Sequence, residues 1–249
     1  MNSQNRRRRG WAIVCPQPQF TNERSRPATG RGACSWAGFS ATKGWTEMKR
    51  LAFATLWVTL VVECVYVVFA RLVLHAKWGH LIQPLVLITL CGLLAATQGK
   101  IRWIAALLRA VIGIQFSLSV ADRFGLLGPP GSGVSWGDFA HFVAYTHQVN
   151  AFLPASFAPL LAVVATICEI TLGITLIVGI RVPYVARAAA FLLCLFGGAM
   201  IASGLIESEF FYAVFVLAAA AWAISCTDAS WLSIDNLVRH HPTRPRMIN

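Results

Sequence analysis

Six stretches of the chain are apolar enough to cross a bilayer as helices: residues 51–70, 81–97, 103–121, 158–180, 184–205 and 210–226. About 20 such residues span the hydrocarbon core. The first stretch carries Glu63 and is followed by Arg71. It therefore also fits a signal segment, although its apolar run is long for one and no small-residue cleavage site follows. The second is short and holds Pro84 near its start, where a membrane helix tolerates proline. The pattern predicts an all-α, polytopic transmembrane helix bundle.

Basic residues of short loops stay preferentially on the cytoplasmic side. Six spans with both termini inside put Lys49 and Arg50, Lys100 and Arg102, Arg181 and Arg187, and Arg239, Arg244 and Arg246 there. Glu207 and Glu209 then fall in a short outer turn, where solvation accounts for them; only Arg71 and Lys77 oppose the assignment. Removing the first two spans together leaves the orientation unchanged. Between the third and fourth spans, residues 122–157 form the one long polar segment. It opens with DRFGLLGPPGSG, a Gly/Pro turn, and continues as WGDFAHFVAYTHQVNAFLP. There Phe139, Phe142, Val143, Tyr145 or Thr146, and Val149 recur at helical spacing, with Asp138, His141 and Gln148 elsewhere around the wheel. This predicts an amphipathic helix, either lying at the interface with Trp136 and Tyr145 at headgroup level or packed over the bundle as a lid.

Composition agrees with the pattern. Hydrophobic residues make up 57% of the 249 positions and charged residues 12%, against roughly 25% charged in soluble domains. The net charge of +11 suggests nucleic acid until it is divided: residues 1–50 hold ten Lys/Arg against two acids, leaving +3 for the rest. The basicity belongs to the leader, and no nucleic-acid partner is implied. Residues 1–47 show no apolar periodicity and mix Arg6 to Arg9 with Pro16, Pro18 and Pro27, so they are expected to build no core and to be disordered. Met48, followed by Lys49, Arg50 and the first apolar run, has the pattern of a start site. The reading takes 1–47 as an upstream extension, with a basic cytoplasmic tail or a targeting leader as alternatives. The expected organisation is then 1–47 leader, 48–100 two added spans, 101–227 a four-helix membrane domain and 228–249 a cytoplasmic tail. Seven cysteines occur without a CxxC pair or a metal-type cluster and are expected to be free thiols serving as small packing residues.

The order LLRAVIG (Arg109, Gly113), DRFGLLGPPG, the amphipathic segment, and EITLGITLIVGIR (Glu169, Gly173, Gly179, Arg181), closed by two apolar helices, resembles the DoxX family of small four-helix bacterial membrane proteins. That family is related to the DoxD subunit of thiosulfate:quinone oxidoreductase. The resemblance covers 101–226 and rests on Glu169-x3-Gly173-x5-Gly179-x-Arg181 and the DRFG turn. It implies a DoxX-like four-helix core with two extra N-terminal helices and an outer interfacial helix. It further implies a multi-pass protein of the bacterial inner membrane, linked to quinone or thiol redox systems and their protein partners, with quinone as the one cofactor suggested.

Glu169 is the most informative residue. It falls near the middle of its span, where a charged side chain costs about 2.5–3.5 kcal/mol on insertion scales. Either it carries a proton or a cation faces it. Arg109 is the nearest cation by depth and Arg123 the next. Glu169 and Arg109 are accordingly the candidate catalytic pair, read either as a proton-accepting or quinone-binding site or as an interhelical ion pair, with Gly173 and Gly179 allowing close approach. Asp122, Arg123, His141 and His147 are candidate substrate-binding residues in or beside the polar segment. Asp122 and Arg123 also fit an anchor at the span boundary or a cap on the interfacial helix. The two histidines are six positions apart, so a straight helix points them to different faces and no metal site is predicted, since one helix binds a metal through i, i+4 pairs. No histidine lies inside the last four spans, which argues against bis-histidine haem; His75 and His80 flank the first two. The reading is a membrane component of a quinone-linked or thiol-redox system, with a non-catalytic scaffold for redox partners or a small-molecule or proton carrier as alternatives.

Overall fold

A computed structural model describes residues 33–229, 231–234 and 236, with side chains from residue 44 onward apart from that of His80. The chain divides into two units, residues 1–40 and 41–249. Of the first, only the helical residues from Ala33 are described. The second is a helix bundle.

The described residues form helices α1 (Ala33–Leu72), α2 (Trp78–Thr97), α3 (Arg102–Arg123), α4 (Phe139–Val149), a single 3-10 turn at Ala155–Phe157, α5 (Ala158–Val178), α6 (Val182–Ala202), α7 (Ile206–Tyr212) and α8 (Val214–Ser225). Gly44–Leu72, α3, Ala155–Val178 and α6 are long and apolar enough to cross a membrane. The helices α7 and α8, bent by 46° at their junction, are long and apolar enough only when taken together, as a broken span or a re-entrant loop, and the apolar part of α2, Leu81–Thr97, is shorter. The chain is thus a multi-pass helical membrane protein.

All six apolar runs are helical, with two departures. The first helix starts at Ala33, so residues 33–47, expected to be without regular structure, are helical; residues 1–32 lie outside the described part. The last run is broken. Ala213 adopts a left-handed conformation (φ 50°, ψ 44°) between α7 and α8, and the helix preceding it begins at Ile206. Glu207 is exposed as expected, but Glu209, expected in a solvated turn, is buried inside α7.

Packing follows the logic of a bilayer, in which lipid supplies no hydrophobic contrast and close approach of small residues does the joining. On α5, Leu160, Val163, Ile167, Ile170, Ile174 and Ile177 are exposed at three- and four-residue spacing, while Ala162, Thr166, Glu169, Gly173 and Leu176 are buried. The inward face is the smaller and more polar one. Across it lies α3, where Gly113 meets Gly173: a Cβ on Gly113 would sit 2.9 Å from the Gly173 carbonyl oxygen and 2.8 Å from Ile177 Cγ1. The second close pair is α6 with α8. Their buried alanines face inward, and Gly197 leaves room for the Phe215 ring. Helix α5 ends on Gly179 in the left-handed region (φ 78°), and Pro183 opens α6 within its first two positions, as helix termini favour.

Candidate functional site

Helices α3 and α5 run antiparallel across the Gly113–Gly173 contact, and that contact decides which cation meets Glu169. With a rise of 1.5 Å per residue, Glu169 stands about 6 Å from the crossing toward the end that holds the 122–157 segment, here the loop end. Arg109 stands about 6 Å away on the other side, and Arg123 about 15 Å toward the loop end. Helical side chains lean toward their own N-terminus. Glu169 therefore leans toward the loop end and Arg123 leans inward to meet it, while Arg109 leans away. The Arg123 guanidinium Nη2 donates to both Glu169 carboxylate oxygens, at 2.7 and 2.8 Å. It also reaches Ser119 Oγ at 3.0 Å, and Nη1 donates to Thr166 Oγ1 at 2.9 Å. Both charged side chains are 2% exposed.

The expected pairing of Glu169 with Arg109 is thus corrected. Arg109 is buried at the opposite end of α3, where its Nη2 donates to the Leu232 carbonyl at 3.3 Å and its guanidinium fills the space that a side chain at Gly179 would need.

Asp122 and Arg123, adjacent in sequence, have separate tasks. Asp122 is buried, and its carboxylate accepts the backbone N–H groups of Ser135, Trp136 and Gly137 at 3.0, 3.1 and 3.0 Å. It thereby folds the Gly/Pro segment back onto the end of α3. This brings Trp136 within 5.3 Å of the Arg123 guanidinium, whose other cover is the Phe142 ring at 3.6 Å. Helix α4 carries Phe142 because Asp138 caps its N-terminus, accepting from His141 N at 2.8 Å. That amide, then the His141 ring, hold the Asp138 carboxyl below the usual carboxylate range. Phe142, Thr146 and Val149 face inward, and α4 packs on the bundle as a lid. His141 and His147 are exposed on α4. His141 Nδ1 lies 2.9 Å from Asp138, and neither histidine joins the charged pair. No cluster of three His, Cys, Asp or Glu side chains fit to hold a metal occurs among the described residues.

Beneath the lid is a cavity of about 780 Å³ bounded by α2, α3, α4, α5, α6 and the α7–α8 segment. Its walls are mainly aliphatic and aromatic. Its polar lining includes Gln83 on α2, Gln115, Ser119 and Arg123 on α3, Glu169 on α5, and Tyr145 and Asn150 from the lid. Leu118, Val164 and Leu195 line it while remaining 44–52% exposed on the bundle surface, so the cavity opens sideways between helices. Ser119, Thr166, Gln115, Phe142 and Trp136 carry no signal of function in isolation. Spacing links some of them: Gln115, Ser119 and Arg123 recur every four residues on one face of α3, and Thr166 precedes Glu169 by three on α5.

A family model described as methylamine utilisation protein MauE matches residues 101–209, a segment that holds α3 to α6 and the Arg123–Glu169 pair. No curated protein and no solved structure matches the chain. The resemblance to DoxX is corrected by this finding. The residues that carried it, the DRFG turn and Glu169-x3-Gly173-x5-Gly179-x-Arg181, all lie inside the segment matched by MauE. Small residues that allow close helix approach are common at membrane helix interfaces and do not separate the two families.

Proposed function

We propose that the chain is a membrane-embedded accessory component of a quinone-linked redox system and that the cavity under α4 receives the quinone. The observation that carries the reading is the cavity itself: about 780 Å³, within the 300–1,000 Å³ usual for small-molecule sites, and apolar with a few convergent polar groups. A quinone needs aliphatic surface for its ring and tail and hydrogen-bond donors for its carbonyl oxygens. The Gln115 amide on the polar wall answers the second need. The lateral opening beside Leu118, Val164 and Leu195 gives an isoprenoid tail a route to lipid. In this reading Arg123 and Glu169 form a neutral pair that fixes the polar wall, the lid faces the outer side of a bacterial inner membrane, and both termini are cytoplasmic. Similarity to the methylamine utilisation protein supports a supporting role in methylamine utilisation, beside redox protein partners.

Gly198 offers a clean test. It lines the cavity, and a Cβ there would meet nothing within 4 Å, so Gly198→Phe adds bulk at the cavity wall and its Cβ clashes with no packed atom. Protein extracted in mild detergent is expected to yield close to one quinone per chain by solvent extraction and mass spectrometry. The Phe variant, equally well folded, is expected to yield at least tenfold less. Absence of quinone from the wild type, with none bound on titration of a soluble quinone analogue followed by Trp fluorescence, refutes the reading.

A further inference from the structure

A second buried acidic site lies apart from the cavity, where α1 approaches the broken last span. Glu63 on α1 is 2% exposed and Glu209 on α7 is 1% exposed. Tyr66, one turn beyond Glu63, stacks on Phe210, the neighbour of Glu209, with centroids 4.2 Å apart, and the two carboxylates are near enough to repel each other. One oxygen of Glu209 is engaged: Oε1 accepts the Phe215 N–H at 3.0 Å, capping α8 across the break at Ala213. The other, Oε2, and Glu63 Oε1 are buried without a hydrogen-bond donor among the described residues.

Among the described residues, no side chain donates a hydrogen bond to either free oxygen, and Tyr66, whose hydroxyl interacts electrostatically with both carboxylates, is itself uncharged at neutral pH. On α1 the Arg71 guanidinium lies over the Trp78 ring at 5.1 Å. On α7, Glu207 is exposed and adds negative charge, and the Tyr212 hydroxyl is hydrogen-bonded to Ser135 at 2.7 Å. Helix α8 has no ionisable residue between Val214 and Ser225, and α2 brings Lys77 at its N-cap and His80 in its first turns, the side chain of His80 being outside the described part. Two buried carboxylates, each with one oxygen that has no donor, resist ionising together, since like charges disfavour each other's charged form and neither is solvated.

We propose that Glu63 and Glu209 form a proton-binding site, a buried acidic pair that holds one exchangeable proton at neutral pH. The site joins α1 to the hinge between α7 and α8. Irregular backbone at membrane depth occurs where it is buried in protein or lines a cavity, and an ionisable group there marks a functional position by default.

The test counts the proton. Infrared difference spectra of the purified full-length protein in liposomes, labelled with carboxyl-¹³C glutamate, are expected to show one protonated glutamate C=O per chain at neutral pH, sensitive to exchange into D₂O. The band is expected to be absent from Glu63→Gln/Glu209→Gln and retained in Glu169→Gln. The wild-type melting temperature should fall as rising pH removes the proton, and Glu63→Gln should show no such fall. No protonated glutamate, or two, overturns the proposal whether or not the variants fold. So does an unchanged pH profile in a folded Glu63→Gln, or stabilisation of the wild type by sodium or potassium at fixed pH, which would assign the site to a metal cation.

Discussion

Removing one member of the Arg123–Glu169 pair should be far more damaging than removing both. In Glu169→Gln, the guanidinium keeps Ser119 and Thr166 and one neutral oxygen but loses its counter-charge, at 2% exposure. Breaking a buried pair by taking away one partner costs about 3–5 kcal/mol, whereas replacing both by apolar groups is often neutral; membrane hydrogen bonds measured by cycles lie lower, at about 0.6–1.7 kcal/mol. Four hydrogen bonds to one guanidinium and a full charge favour the upper part of that combined range, so about 3 kcal/mol is expected, a change of roughly 150-fold in the unfolding equilibrium. Arg123→Met should cost about as much, and Arg123→Met/Glu169→Leu should recover at least half of it. The assay is equilibrium unfolding in mixed micelles of dodecyl sulfate and mild detergent, followed by Trp fluorescence and assembled into a double-mutant cycle. Arg109→Gln combined with Glu169→Gln is the control, with additive effects because the two side chains diverge. A coupling energy below about 0.5 kcal/mol between positions 123 and 169, or coupling to position 109 in its place, would refute the geometry.

Gly113→Ala should destabilise the bundle by about 1–3 kcal/mol as overpacking does, because the added methyl would sit 2.8–3.1 Å from three atoms of α5; unchanged unfolding in the same micelle assay contradicts this. Asp122→Ala strands three backbone N–H groups and should cost at least about 3 kcal/mol at about 1–3 kcal/mol for each unsatisfied group, with protease cutting between residues 125 and 137 as the readout; a variant as resistant as wild type rules out the Asp122 tether. The acid limb follows from Asp138. Its carboxyl is held below the ordinary value, so its cap is complete above about pH 3.9 and is lost as pH falls through the lowered value. Trp136 fluorescence should therefore hold steady from pH 7 to about 4 and change below. Asp138→Asn, which caps without titrating, should lack that step, and an identical acid step in it would show that Asp138 is not its source.

The helices were legible because membrane helices are built from composition: a run of apolar residues has one stable backbone in lipid. Helix α4 was legible through its spacing; its Asp138 cap, read only as a polar position on the wheel, was not. The partner of Glu169 was not, because counting residues from a span's end gives depth but not the direction in which a side chain leans, and the crossing at Gly113 and Gly173 becomes visible only when α3 is laid on α5. The break at Ala213 left no mark either. Alanine is among the strongest helix formers, and the device that stabilises the kink, Glu209 accepting the Phe215 N–H, lies in a side chain that reads as a solvated acid. The helical start at Ala33 was hidden by the arginines and prolines of residues 6–27, which coloured a leader whose last 15 residues hold no proline.

The adjacency of Asp122 and Arg123 explains how a cavity open to lipid can keep a charged pair dry. Consecutive helical positions face about 100° apart, so the last turn of α3 presents one side chain to the loop and the next to α5. Asp122 turns outward and gathers the amides of residues 135–137. Arg123 turns inward to Glu169, and the same gathered loop lays Trp136 beside it while the capped α4 lays Phe142 over it at 3.6 Å. The aromatic faces cover the guanidinium with surface that attracts a cation and keeps water away, so the attraction to Glu169 acts at low dielectric. Loop, lid and ion pair therefore form one cooperative unit. Its polar wall is fixed by protein contacts alone, which leaves the apolar remainder of the cavity free to accept a guest without breaking the pair.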